Sequence, residues 1–466
     1  MCLVVVAAML RFHPGFLLGD DPHYHTRIAE VITKTGSIPG WDPLSYGGRH
    51  HSYQPAFHIL HVSTSLATGV NPRLVAPLLA PILGVVSGLA VGLVANRWGG
   101  DFFTAFLLTT FAPIHIIKTS MLIPDTIFLV LTPFFFLFFH RSVTRFKLGS
   151  MLASGFLFGL LILTNSSWVL LVPIVVLFSA TRRSLVFIPI LSLGFLVASG
   201  WLFFVPHTDG YQQFLLLGGR FEYVENLGIV FPLGFFGMVW MAKNWRGWLE
   251  GEQHSQGLLL LWAGLFLPIP MLAFYGNRVL VYLVAPLAIL SSFVAKASKK
   301  KKGVPRLLTI FLVSICLTQG FFALDRLEPL VTVGDVNLLG WARSNTPPNG
   351  VLLSYGTHIP TYYARHPVVA DPLRQEAPGG YARWAEMVKA FWGCEEDFWG
   401  VVNSYGVSCV FLSSWLGSRR EVLARWLELG GREKGFMVVE RWDGLAMWCL
   451  PPALGWHTQQ TQVVSC

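Results

Sequence analysis

Eleven apolar stretches fill the first 324 residues of this chain, most of them long enough to cross a bilayer as helices. A helix needs about twenty predominantly apolar residues to span roughly 30 Å of hydrocarbon. The stretches fall near 1–18, 73–96, 102–117, 122–140, 148–164, 167–181, 184–205, 228–242, 256–275, 278–295 and 305–324. With no water in the bilayer to satisfy the backbone, such segments must be helical. The fold class is therefore an α-helical polytopic membrane protein. The breaks at 164–167 and 275–278 leave a hairpin and one long helix equally open. Before Arg11 there is no lysine, arginine or small-residue cleavage site, so 1–18 reads as a first membrane helix, short as a clipped start would leave it.

Charge patterning orients the scheme. Only 13% of the residues are charged, against roughly a quarter in soluble domains. Arg97; Arg141, Arg145 and Lys147; Arg182 and Arg183; Lys243 and Arg246; and Lys296, Lys299 to Lys302 and Arg306 fall in alternate loops. Cytoplasmic loops carry such an excess of lysine and arginine. The net charge of +9 thus needs no nucleic acid to explain it. The Lys299–Lys302 run suits anionic lipid headgroups. The opposite, extracytoplasmic side then receives 19–72, 118–125, the Asn165–Ser167 turn, 206–227, 275–278 and everything after 325.

Residues 325–466 have a different texture. Short β-branched runs at Val351–Ser354, Pro367–Ala370, Val407–Leu412 and Met437–Glu440 alternate with helical patterns at 380–392, 396–404 and 418–429. That alternation predicts a small C-terminal α/β domain. Domain 1–324 would be the multi-pass domain, with 19–72 its first external loop. Cys394, Cys409 and Cys449 allow one disulfide in the C-terminal domain, with the pairing open.

Few polar residues stand at the membrane edge, and their company suggests chemistry. Gly19-Asp20-Asp21-Pro22-His23-Tyr24-His25-Thr26-Arg27 places two carboxylates and two imidazoles just after the first apolar run. Asp before Pro is an ordinary helix start, and capping is the plain reading. Asp125, in Leu122-Ile123-Pro124-Asp125-Thr126, is an N-cap or, facing the same side, an oxygen ligand for a divalent cation. Glu222 and Glu225 sit in the 206–227 loop, where a solvated loop is the plain reading. Arg278 opens an apolar helix, where snorkelling competes with paired bonds to a phosphate. His25 falls four residues after Asp21, on one face of a helix beginning at Pro22, so a metal-ligand or proton-shuttle role is conceivable. Arg27 pairs with a carboxylate of the same loop.

The run 19–60 resembles the first external loop of the oligosaccharyltransferase catalytic subunits, especially the archaeal ones, which belong to the GT-C membrane glycosyltransferases. There a Gly-x-Asp motif heads an Asp-Pro-Tyr-Tyr-His-x-Arg segment, followed by Pro-x-x-Asp-Pro and Tyr-Pro turns. Here Gly19-Asp20-Asp21, Pro39-Gly40-Trp41-Asp42-Pro43 and Tyr53-Gln54-Pro55 match. The resemblance implies Asp21 as the metal-binding or base carboxylate, with Asp20 second. It implies Asp125 as the first member of an Asp-x-Asp, Asp-x-Glu or Asp-x-His motif whose second position here is Ile127. It implies Arg278 as the phosphate-binding arginine, and an acceptor or metal contact near Glu222 or Glu225. Pro124-Asp125 with Leu129 and Pro133 is also similar to protein mannosyltransferases and lipid A aminoarabinose transferases. Where the family's Trp-Trp-Asp-Tyr-Gly sequon reader stands, this chain has Ser354-Tyr355-Gly356. The frame Ala364-Arg365-His366-Pro367-Val368-Val369-Ala370-Asp371 follows.

The resemblance implies transfer of sugar from a polyprenyl (dolichyl) phosphate or diphosphate donor to a protein, glycan or lipid acceptor at the extracytoplasmic face. Asp21, Asp125 and His25 would hold a divalent cation, Mn or Mg. The alternative is a polyprenyl-monophosphate-sugar transferase acting on lipid, glycan or Ser/Thr. An inactive homologue and a lipid-sugar transporter complete the set, although transporters place polar groups near the bilayer midplane and these spans are nearly free of charge.

Overall fold

The computed structural model describes residues 2–13, 17–182, 184–204, 223–243, 254–268, 276–299, 304–327, 330–373, 377–442 and 445–450. The chain divides into two compact units, Met1–Ile38 with Ser52–Glu328, and Pro39–His51 with Pro329–Cys466.

The first unit is helical. Pro72–Arg97, Pro124–Arg145 and Val279–Ser298 are long and apolar enough to cross a membrane. Phe102–Thr110 and Pro113–Ser120 together qualify as a fourth span, bent by 64°. The sequence pattern reads this stretch as one helix, 102–117. Pro113 breaks it, because a proline disfavours helical backbone at the residue before it and offers no N–H. Leu148–Ile162, Ser166–Thr181, Phe187–Leu202, Val230–Ala242, Ser255–Phe266 and Thr309–Leu324 are shorter apolar helices. The chain is a multi-pass membrane protein. Leu78, Ile82, Phe156, Leu196, Phe236, Ile310 and Phe322 face outward, as suits a lipid solvent that makes apolar exposure cheap.

The helix Gly276–Lys299 runs through the centre, with Leu280, Leu283, Leu287, Ala288 and Leu290 fully buried. Gly234 and Gly237 of the Val230–Ala242 helix face it. A Cβ at Gly237 would lie 2.8 Å from the Leu290 backbone, so small residues set this helix spacing. Two expectations change in this unit. Among the described residues of the first apolar run, the helix covers Cys2–Met9. The external stretch 19–72 is not a loop throughout, for it contains the helices Asp21–Thr35 and Pro55–Thr68. Both start at or beside a proline and end at a left-handed glycine, Gly36 and Gly69.

The second unit is built on four strands, β3 (Val351–Leu353), β4 (Val407–Phe411), β5 (Met437–Trp442) and β6 (Leu445–Cys449), in the order β3-β4-β6-β5. β3 and β4 are parallel, and the other pairs are antiparallel. The helices Gly380–Trp392, Glu395–Ser404 and Arg419–Glu433 pack Met387, Phe391, Phe398, Leu423 and Leu427 into its core. The run Pro367–Ala370 is not a strand. Only Val368 bridges, to Ser45 on one side and Leu352 on the other. The helix Val333–Asn345 is held by a reciprocal capping box of Thr332 and Asp335, and Asp335 also accepts from the Ser414 hydroxyl at 2.6 Å.

Segment 39–51 belongs to this second unit through a buried ion cluster. Its short ribbon pairs β1 (Trp41–Asp42) with β2 (Arg49–His50). Arg49 donates to Asp42 Oδ2 from Nη2 at 2.9 Å and to Asp371 Oδ1 from Nη1 at 3.4 Å. All three side chains are essentially inaccessible to solvent. Tyr46 N–H donates to the Val368 carbonyl at 2.9 Å, and Val368 N–H to that of Leu44 at 3.0 Å.

Cys409 and Cys449 are directly opposite on β4 and β6 and form a disulfide, which resolves the open pairing. It closes a loop of sequence separation 40, for which chain entropy gives about 4 kcal/mol. Cys449→Ala in the full chain is therefore expected to lower the unfolding midpoint of the C-terminal unit by several degrees, read by differential scanning fluorimetry. A melt indifferent to dithiothreitol would contradict it.

Candidate active site

The acidic turn at the head of the Asp21–Thr35 helix is sterically defined. Gly19 has φ of +75° and abuts Met121, whose Sδ would lie 2.9 Å from any Cβ placed there. Both the left-handed backbone and the close approach demand glycine. Asp20 occupies the N-cap position but makes no side-chain cap hydrogen bond, so capping does not account for it. Asp21 is the first helical residue, where its charge meets the positive end of the helix dipole. Both are half-buried, and their carboxylate oxygens come within 4.8 Å of each other. Two oxygen donors this close suit a hard cation such as Mg or Mn. Within this unit's described residues neither His25 nor Asp125 joins them in a group of three potential ligands.

The rest of that helix is buried against its neighbours. His23 is fully buried, and desolvation pushes its pKa down to about 4, so it is neutral at physiological pH. His25 Nδ1 lies 3.0 Å from His58 Nε2, with Tyr53 edge-on to the His25 ring at 4.7 Å. The Arg27 guanidinium stands 5.5 Å from the Tyr24 ring. Glu30 pairs with Arg73, at the start of the Pro72–Arg97 helix. His61 Nε2 lies 2.9 Å from the Pro72 carbonyl oxygen, and burial pushes its pKa down. The helix carrying the acids is thus anchored along its length.

Asp125 is fully buried and sits in a polar network of its own. Its Oδ1 accepts from Asn165 Nδ2 at 2.7 Å and from the Tyr282 hydroxyl. Ser167 Oγ lies 3.0 Å from that hydroxyl, and Asn165 Oδ1 accepts from the Ser167 N–H at 2.8 Å. The network joins three separate segments. Ile127 packs instead with Phe57, Ala76, Ala80 and Leu122. Asn165 and Tyr282 are the partners that sequence reasoning does not assign. The signals are present: three polar residues, 165–167, interrupt two apolar runs, and Tyr282 follows Arg278 by one helical turn. Beneath Tyr282 lies a narrow apolar slot between Phe128, Pro133, Leu171, Trp262 and Phe266.

Arg278 lies in the Gly276–Lys299 helix, but its side chain lies outside the described residues, as does Glu222 altogether. Glu225 is exposed and stands 3.7 Å from the exposed Arg326, a solvated pair of little energetic consequence. In the C-terminal unit Tyr355 packs its ring against Trp384, Phe391 and Trp392, and Ser354 is buried.

Known structures share this architecture. The archaeal oligosaccharyltransferase AglB from Archaeoglobus fulgidus, in complex with an inhibitory peptide and a dolichol-phosphate, matches with a TM-score of 0.66 at 15% identity, over 88% of this chain and 68% of that one. ArnT from Cupriavidus metallidurans, bound to undecaprenyl phosphate, matches with a TM-score of 0.62 at 13% identity over 97% of both chains. The fold is that of the GT-C glycosyltransferases. The A. fulgidus enzyme in complex with Zn and sulfate has the same GT-C fold, with a TM-score of 0.60 at 16% identity over 88% of this chain and 67% of that one. No family model matches the chain, and no curated protein matches it in sequence. At such identities the GT-C likeness carries architecture, and the chemistry rests on this chain's own residues.

Proposed function

We propose that this chain is a membrane glycosyltransferase that moves sugar from a polyprenyl-linked phosphate or diphosphate donor to an acceptor at the extracytoplasmic face. The observation that carries this reading is the half-buried Asp20-Asp21 pair at a glycine-defined helix start, set on a GT-C fold. An acceptor hydroxyl or amide attacks the anomeric carbon, its proton passes to Asp21, and the bond to the donor's phosphate oxygen breaks. Arg278 receives the departing phosphate. A divalent cation, where bound, would be held by Asp20 and Asp21 and would neutralise that phosphate. The alternate-loop lysines and arginines orient the site outward, and the Cys409–Cys449 disulfide suits an oxidising outer compartment. Residues 325–466 serve as an outer domain.

A second reading within the class is favoured by one observation. Asp125 Oδ1 is engaged by Asn165 and Tyr282, and Ile127 offers no ligand, so the second acidic motif brings a single carboxylate. That suits a polyprenyl-monophosphate sugar donor and a lipid, glycan or Ser/Thr acceptor, as opposed to a dolichyl-diphosphate oligosaccharide and an asparagine.

Mass spectrometry of glycans and glycolipids in a deletion strain tests both. Loss of one sugar, restored by the wild-type gene, is expected, and the lost species names the acceptor. An unchanged profile would remove the transferase reading. Arg278→Ala is expected to raise the donor KM about tenfold or more while leaving kcat at saturating donor within threefold, given the strength of charge-assisted phosphate bonds. Equal donor dependence in variant and wild type would refute the phosphate role.

A further inference from the structure

A buried arginine with no counter-charge stands close to the acidic turn. Arg11 is 1% exposed. Its Nε donates to Thr119 Oγ1 at 2.7 Å, its Nη1 to the Ala7 carbonyl at 2.7 Å and its Nη2 to the Thr110 carbonyl at 2.5 Å. Nη2 also reaches His115 Nδ1 at 3.0 Å. For Nδ1 to accept, His115 must be neutral and carry its proton on Nε2, which lies 2.7 Å from Ser87 Oγ. That hydroxyl in turn donates to the Gly84 carbonyl at 2.8 Å. Every partner of the guanidinium is therefore neutral, and no carboxylate pairs with it among the described residues. Room for it is built into the Pro72–Arg97 helix, since a Cβ at Gly84 would lie 2.6 Å from Arg11 Nε. A cation held this way in a membrane bundle is costly and marks a functional position.

The same arginine lines a cavity with His13, Leu18, Pro22, Ser120 and Leu122. Pro22 directly follows Asp21, so the cavity borders the acidic turn. Its free volume of about 10 Å³ admits one water-sized atom. His13 Nε2 is buried with no hydrogen-bond partner among the described residues.

We infer that Arg11 and His13 form an oxyanion site, in which one oxygen of a phosphate group enters this cavity. The phosphate oxygen supplies the counter-charge that Arg11 lacks, and His13 donates a hydrogen bond to it. A lipid phosphate headgroup and free phosphate share this chemistry. The inference is separate from the transfer reading, which uses Asp21 and Arg278.

The full chain in detergent micelles is to be titrated with undecaprenyl phosphate, uncharged undecaprenol and inorganic phosphate, reading binding and thermal unfolding. Undecaprenyl phosphate is expected to bind and raise the midpoint, and undecaprenol to do neither. Stabilisation by inorganic phosphate as well identifies the free ion as sufficient, and its absence identifies the lipid headgroup. Arg11→Gln is expected to weaken binding at least tenfold and His13→Gln at least threefold, the latter with an unchanged unliganded midpoint. Should Arg11→Gln fail to fold, His13→Gln decides alone. The inference falls if no phosphate probe binds, or if His13→Gln binds like wild type. If Arg278→Ala abolishes binding while His13→Gln spares it, this site is refuted and the transfer reading stands.

Discussion

Asp21→Asn is expected to reduce sugar transfer by a factor of 10² to 10⁴, the usual contribution of a positioned acid or base. Asparagine keeps the shape of the side chain at the first helical position and loses only its charge. The stability cost is then the charge–dipole attraction at a helix start, about 0.3–1 kcal/mol. The Asp21–Thr35 helix is otherwise anchored by Glu30 with Arg73, His61 with the Pro72 carbonyl and His25 with His58. Rates from a polyprenol-linked sugar in isolated membranes should therefore collapse while the melting midpoint stays within about 2 °C. Asp20→Asn, at the non-capping N-cap position, is expected to show a smaller loss. Undiminished turnover in Asp21→Asn would end the catalytic assignment, and loss of folded protein would make Asp21 structural.

The largest stability effect is expected at Arg49. Its guanidinium sits between Asp42 and Asp371, with all three groups removed from water. Removing one partner from a buried ion pair leaves a desolvated charge and costs about 3–5 kcal/mol. Arg49→Met strands two carboxylates at once, so the upper end of that range applies. Segment 39–51 should detach from the rest of the C-terminal unit, because the backbone bonds of Tyr46 and Leu44 with Val368 and the contacts of the Tyr46 ring with Tyr405 and Arg383 are too weak to hold it alone. Limited proteolysis of the full chain should then cut between residues 39 and 51, where the wild type resists. Asp42→Asn retains an acceptor for Arg49 and should cost less than half as much. Equal protease resistance in Arg49→Met and wild type would show that the cluster is dispensable.

Asp42 and Asp371 illustrate what could not be read from the sequence. Each stands in a motif that the resemblance marks, yet nothing local shows that both answer to one arginine. Their positions are 329 residues apart, and the sequence carries no record of which distant charges meet. Asp125 is similar. Its place at the mouth of an apolar helix was legible, but its partners Asn165 and Tyr282 come from two other segments. The helices were far more visible, because hydropathy and proline placement act within a single turn. The first part of β5, Met437–Glu440, was visible by composition, whereas β6 gains strand character from pairing between β4 and β5.

By itself, the sequence determined a multi-pass helical protein, its apolar segments and the acidic turn at 19–21, since burial of apolar surface and backbone hydrogen bonding follow local pattern. The tertiary structure alone decided that 39–51 joins the C-terminal unit, that Cys409 pairs with Cys449, that Asp125 is held by Asn165 and Tyr282, and that Arg11 is buried without a counter-charge among the described residues. Those outcomes depend on which side chains are brought within a few ångströms across long stretches of chain. Hydrogen bonds and close ion pairs form only at such contact distances, and sequence spacing does not encode which groups meet.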